Sequence, residues 1–255
     1  MELQVLGCSG GIGAGNRTTA LRLGKHILVD AGTGLGDLPL AELAQIDHVF
    51  LTHAHLDHIA CLPLLLDTVA PVRTAPVTVH ASQSVLDTLR RHVFNWQVWP
   101  DFTQIPQPDC GLLRYEVMER GDVFTLDGLT LTALPVLHTV PAVAYQMDSG
   151  NASVVFSGDT DDHAPFWQAV NTIDNLQTLI IETAFADHEA TLARASRHLT
   201  PQRLVAALKV LPAGLDIRIT HLKPFDHDLI MRELHDQTGG SALIRRLESG
   251  DVIHF

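Results

Sequence analysis

The sequence predicts an α/β protein in which two β-sheets are covered by helices. Three observations carry that expectation. Short β-rich segments open each half as antiparallel meanders, helical patterns are interspersed in both halves, and no internal repeat or low-complexity linker interrupts the 255 residues. The length admits one large domain or two small ones, and either is enough chain to bury a sizeable core.

Residues 2–7 read as a strand running into a Gly-rich loop at 10–15. Residues 19–23 and 26–30 are alternating apolar runs joined by Gly24-Lys25, a hairpin signal. A short helix at 39–46 precedes a buried strand at 49–51. Residues 58–69 and 82–93 read as helices, with Ser82 as the cap of the second. Pro63 lies well inside the first, which is therefore expected to be short or kinked. Residues 94–108 form a Pro-rich, aromatic loop. Strands follow at 112–118, 122–125, 129–135, 143–148 and 152–156, with turns at Asp127-Gly128 and Ser149-Gly150. Strands at 178–181 and 216–220, helices at 201–210 and 226–236, and a closing strand at 252–255 complete the chain.

Lys plus Arg number 17 against 29 Asp plus Glu, a net charge of −12. Such a chain has no electrostatic footprint for long nucleic acid, although bound cations would still let it take a small anionic substrate. No apolar run approaches the roughly 18–20 residues that cross a bilayer, so no membrane association is expected. Residues 1–7 lack a basic stretch, so no secretory signal is expected either. Cys8, Cys61 and Cys110 are scattered, with no CxxC pair, which predicts free thiols and a cytoplasmic location.

Gly7-Cys8-Ser9-Gly10-Gly11-Ile12-Gly13 has the glycine spacing of a dinucleotide-binding loop, and Asp30 ends a strand about 20 residues on. That motif needs a helix after the glycines. Here a hairpin pattern follows, so the loop reads instead as one wall of an active site.

The compositional outlier is 15 histidines. Val49-Phe50-Leu51-Thr52 delivers His53 to the end of an apolar strand, and His55, two residues on, points the same way in extended chain. Asp57 and His58 follow where the chain turns helical. Four ligand-type side chains within six residues can serve two divalent metal ions. Imidazole and carboxylate suit zinc, with manganese or iron tolerated. A bare HxH is more often a solvated loop; the strand end and the added acid favour ligands. His138, Asp159 and His221 each end a later apolar strand. Any one alone is an ordinary turn residue, but together they offer one more imidazole for each metal and a bridging carboxylate.

On His53, His55, Asp57 and His58 the chain resembles the metallo-β-lactamase superfamily. The resemblance implies His53, His55 and His138 on one metal, Asp57, His58 and His221 on the other, and Asp159 bridging. It also implies a four-layer αββα sandwich, one domain over 1–255, with the site at one edge between the sheets. HAHLDHIACLPLL at 53–65, FNWQVWPDFTQIP at 94–106, SRHLTP at 196–201 and THLKP at 220–224 are similar to class II cyclic-nucleotide phosphodiesterases. Cys61 and Pro63 depart from that pattern.

That likeness implies hydrolysis of 3′,5′-cyclic nucleotides, cyclic AMP first, to 5′-nucleotides by a metal-activated hydroxide. Asp57 would double as a catalytic group. By resemblance to tRNA-processing members of the superfamily, His198 is the general acid and Glu182 its orienting partner. In the aromatic loop, Phe94, Asn95, Trp96, Trp99 and Phe102 are expected either to wall a stacked purine or to pack the loop onto the body or a second copy. Lys223 either touches phosphate or is solvated. Competing readings are a tRNA 3′-end-processing nuclease, which the acidic balance disfavours, a lactone or thioester hydrolase, and a binding module with structural metals.

Overall fold

A computed structural model describes residues 1–255. The first half runs β1 (Glu2–Gly7), β2 (Ala20–Leu23), β3 (Ile27–Val29), α1 (Leu40–Leu43), β4 (His48–Phe50) and α2 (Leu56–Ile59). It continues through α3 (Leu62–Val69), β5 (Val77–Ala81), α4 (Gln83–His92) and β6 (Leu113–Val117). The second half opens with β7 (Val123–Leu126), β8 (Leu129–Pro135), β9 (Val143–Asp148), β10 (Ser153–Phe156), α5 (Ala164–Asn171) and β11 (Leu176–Glu182). It closes with α6 (Ala190–Ser196), α7 (Pro201–Leu208), β12 (Asp216–Thr220), α8 (His227–Gln237), β13 (Ile244–Arg246) and β14 (Val252–His254). No helix is long and apolar enough to cross a membrane.

The strands make two seven-stranded sheets, β14-β1-β2-β3-β4-β5-β6 and β13-β12-β11-β10-β9-β8-β7. Each is antiparallel at one side and parallel at the other. Local chemistry explains the change. Tight turns such as Asp127-Gly128, both residues left-handed (φ 50° and 81°), close antiparallel neighbours. Parallel neighbours need longer crossovers, here made mostly through helices.

Period-two alternation sorts each strand between layers. Leu28, Val49 and Leu51 face the helices of the first half, while Ile27, Val29 and Phe50 face the second sheet. In the second sheet, Val154, Phe156 and Ile180 point between the sheets, and Val155, Leu179 and Ile181 point to the outer helices. Strands buried on both faces read as unbroken apolar runs for this reason. The layers are therefore helix, sheet, sheet, helix.

Three expectations change. The helix expected over 58–69 is two helices, and Pro63 sits in the first turn of α3, where a missing N–H costs nothing. Ser82 occupies the cap position of α4, but its hydroxyl has no partner; the Glu119 carboxylate accepts from the Gln83 N–H instead (2.9 Å). Helices α5 and α6 and the edge strand β13 were not foreseen, because each is short and only part of each is apolar.

Phe50 lies at the centre of the inter-sheet layer, stacked on His80 (4.3 Å, 6°) and edge-on to Tyr145 (5.8 Å, 80°). The Tyr145 hydroxyl donates to the Leu51 carbonyl (3.0 Å), joining the two sheets next to the strand end that carries His53. Phe50→Ala is expected to lower unfolding stability by about 3–5 kcal/mol in urea titration, through lost transfer energy and a cavity.

Candidate metal centre

The candidate ligands sit at strand ends that open on one edge of the sandwich. β4 leads to His53, β8 to His138, β10 to Asp159 and β12 to His221. His55 precedes the first residue of α2, and Asp57 and His58 lie in its first turn. Two backbone features make the convergence possible. Gly10 packs on His221, and a Cβ there would lie 2.4 Å from the His221 carbonyl oxygen. Gly158, at φ 57°, reverses the chain between β10 and Asp159.

The side chains form two groups, His53, His55, His138 and Asp159, and Asp57, His58, Asp159 and His221. Within each, the ligand atoms lie within 4.8 Å of one another. In the first, His55 Nδ1 stands 3.1 Å from His53 Nε2 and 3.2 Å from His138 Nε2. In the second, Asp159 Oδ1 stands 3.1 Å from His221 Nδ1 and 3.4 Å from His58 Nε2. Asp159 belongs to both groups and is almost wholly buried.

Groups behind the imidazoles fix which nitrogen faces inward. His58 Nδ1–H donates to Asp30 Oδ2 (2.7 Å), and the Thr52 N–H donates to Asp30 Oδ1 (2.8 Å). The Thr52 hydroxyl donates to Asp30 (2.9 Å) and accepts from His53 Nδ1 (3.0 Å). His138 Nδ1–H donates to the Arg197 carbonyl (3.1 Å), a residue held in left-handed backbone at φ 58°. The inward Nε2 atoms of His53, His58 and His138 are therefore the lone-pair nitrogens.

This donor set fits divalent cations. Imidazole nitrogens and carboxylate oxygens meet at close range, and His58 Nε2, Asp159 Oδ1 and His221 Nδ1 are buried without a hydrogen bond. Electrostatics agree. Burial holds His53 well below the ordinary imidazole range and lowers His138 to about 4 and His221 to about 3, so all stay neutral and able to ligate. Burial also opposes charge on His58, yet the Asp159 and Asp30 carboxylates outweigh it and raise the imidazole well above its usual value. Positive charge is demanded at that point. At Asp159 burial is likewise outweighed, by His221 and His58, and the carboxylate is held far below its ordinary range.

Glu182 and His198 meet beside this cluster. His198 Nδ1–H donates to Glu182 Oε1 (2.8 Å), and Glu182 is fully buried, accepting also from the N–H groups of Thr160 (2.9 Å), Ala184 (3.2 Å) and Leu199 (3.3 Å). The His198 ring lies 5.1 Å from that of His138 and 5.2 Å from that of His221. Burial disfavours its charge, but the Glu182 carboxylate prevails and raises its pKa. Asp161 anchors this loop through Arg203, whose guanidinium also reaches the His198 carbonyl (3.5 Å).

Of the two expectations for the aromatic loop, burial favours packing onto the body for most of its rings. Phe102 is 3% exposed and, with Phe94, belongs to the core beneath α3 and α4. Trp99 packs against that same core, and Asn95 accepts from the N–H groups of Gln97 and Val98, closing a local turn. Trp96 alone projects, at 63% exposure. Lys223 donates to the Gly10 carbonyl (2.8 Å) rather than standing free. Asp30 and Thr52 were overlooked by sequence reasoning as supports of the imidazoles. Asp30 was visible as a strand-end acid but was weighed only as a nucleotide ligand.

Comparison with known proteins agrees with this fold. A probable 3′,5′-cyclic-nucleotide phosphodiesterase of Yersinia pestis is 27% identical, over 100% of this chain and 89% of its own length. A Ribonuclease Z of Bradyrhizobium diazoefficiens is 24% identical over 78% of this chain and 80% of its own. The crystal structure of unliganded yeast PDE1 superposes with a TM-score of 0.79 at 19% identity, covering 100% of this chain and 99% of that one. Asp30→Asn, which weakens the acceptor behind His58, is expected to lower affinity for a divalent cation about 10–100-fold in chelator competition. Residues 25–221 match the family model described as the beta-lactamase superfamily domain, a span that holds every ligand candidate, and the chain belongs to that superfamily.

Proposed function

We propose that this protein is a dinuclear-metal phosphodiesterase that hydrolyses 3′,5′-cyclic nucleotides, cyclic AMP foremost, to 5′-nucleotides. The observation that carries the reading is the buried Glu182–His198 pair set against both ligand groups. A ribose 3′ alkoxide is a poor leaving group and needs a proton, whereas a thiolate departs without one. The Yersinia pestis relative and the likeness to yeast PDE1 support this choice of substrate. The acidic balance of the chain weighs against tRNA, despite the Ribonuclease Z relative.

Two divalent ions, zinc first with manganese or iron compatible, would be held by His53, His55, His138, Asp57, His58 and His221, with Asp159 common to both. When bound, they supply Lewis-acid activation of water and neutralise charge on the phosphate. Around them the chain does the rest. Asp57 is the most exposed of the ligand carboxylates and can take a proton from the incoming water. His198 gives a proton to the departing O3′ from Nε2, while Glu182 holds its Nδ1–H and keeps the ring charged and oriented. Thr160, Ala184 and Leu199 fix Glu182 in turn.

Purified protein loaded with a divalent metal is expected to release 5′-AMP from cyclic AMP, and a chelator to stop it. Asp159→Ala with turnover intact would remove Asp159 from the assignment. His198→Ala is expected to cost about 10²–10⁴-fold in kcat. Because the acid works protonated, kcat should hold below the raised His198 pKa and fall as pH rises through it. Glu182→Gln removes the carboxylate that retains the proton, so this alkaline limb should move to lower pH.

A further inference from the structure

We infer that Phe185, with Lys223 beside it, and Phe225 on the following turn select the nucleobase of the substrate. This rests on the cyclic-nucleotide reading above. In a 3′,5′-cyclic nucleotide the departing oxygen is on C3′ and the base on C1′ of the same ribose. A group that protonates O3′ therefore has the base only a few bonds away, on a side of the proton donor that the metal ligands do not occupy.

The surroundings of His198 leave such a side. His138 and His221 flank its ring as described, and the remaining aromatic neighbour is Phe185, with centroids 5.6 Å apart and planes at 63°. Phe185 meets no ligand imidazole and is half-buried, so part of its ring remains open. Lys223 Nζ lies 5.9 Å from the Phe185 centroid, and its bond to the Gly10 carbonyl holds the start of a turn closed by Asp226 N–H to the Lys223 carbonyl (3.1 Å). Phe225 is at the tip of that turn and is 100% exposed. The Gly10-Gly11 loop backs the turn, since a Cβ on Gly11 would lie 3.1 Å from Pro224 Cδ.

A bare phenyl ring four residues from a metal-ligand candidate leaves a large apolar surface in water, and a π face is what any base can stack on. The Lys223 ammonium, 5.9 Å from the Phe185 centroid, adds attraction to an aromatic ligand and to its phosphate. In the loop at 94–108, by contrast, Phe94 and Phe102 are spent on the core.

The test compares kcat/KM of the metal-loaded enzyme for cyclic AMP with that for the six-membered cyclic phosphate of 1,3-propanediol, which has the same reacting ring and no base. Calorimetric affinity for 5′-AMP is measured in parallel. Phe185→Ala and Phe225→Ala should each lower the cyclic AMP preference about tenfold, through KM, and weaken 5′-AMP to a similar degree, the scale of one base–aromatic stack. Phe225→Trp should restore both, and since Phe225 touches nothing its variants keep the fold. An unchanged preference in both alanine variants, with the parent enzyme active on cyclic AMP, overturns the inference alone. So does a Phe225→Ala variant that only shifts from dimer to monomer, since that ring would then cover a second copy. A parent enzyme inactive on every cyclic nucleotide removes the functional reading and this inference together.

Discussion

The structure depends on one carboxylate. Asp159 is buried at the sheet edge with four imidazoles, those of His53, His58, His138 and His221, within 4 Å. A lone carboxylate in that place would be expelled or protonated. Ringed by groups that carry or accept positive charge, it stays ionised and ties two ligand sets into one centre. Strand ends from both sheets meet around it, and much of the surrounding architecture holds them there.

Stitches between the sheets do so. The Tyr145 hydroxyl reaches the Leu51 carbonyl, the Val143 N–H reaches the Thr52 carbonyl (3.0 Å), and the Cys8 carbonyl takes both the His221 N–H (2.8 Å) and the Thr220 hydroxyl (3.1 Å). Each stitch lies within a few residues of a ligand candidate. Behind them, Asp30, Thr52 and Arg197 hold the imidazoles by their outer nitrogens. The Glu182–His198 pair is built on the same plan, with a buried acid satisfied by backbone N–H groups and an imidazole aimed at the cluster. A rigid ring of supports thus surrounds the cluster of candidate ligands.

Much of this could be read in the chain. Unbroken runs such as Val49-Phe50-Leu51 and Val154-Val155-Phe156 mark strands buried on both faces, and each run ends in a histidine or an acid. Asp127-Gly128 marks a hairpin because its two residues tolerate left-handed backbone. The misreadings have physical sources. Pro63 is compatible with the inside or the start of a helix, and the break at Ala60-Cys61 leaves no breaker residue to show which. Phe94 and Phe102 carry the same apolar signal whether they line a ligand or fill a core.

What adjacent residues settle among themselves was therefore legible: strand alternation, turn chemistry, and the crowding of four ligand types between His53 and His58. These properties act over a few bonds, so the order of residues contains them. Contacts between distant segments could not be read that way. That Asp30 stands behind His58, that Arg197 turns its carbonyl to His138, and that Phe225 projects bare while Phe102 is enclosed all follow from how the layers pack. Packing depends on the shapes of surfaces formed by many separated residues, and no single stretch of chain carries that information.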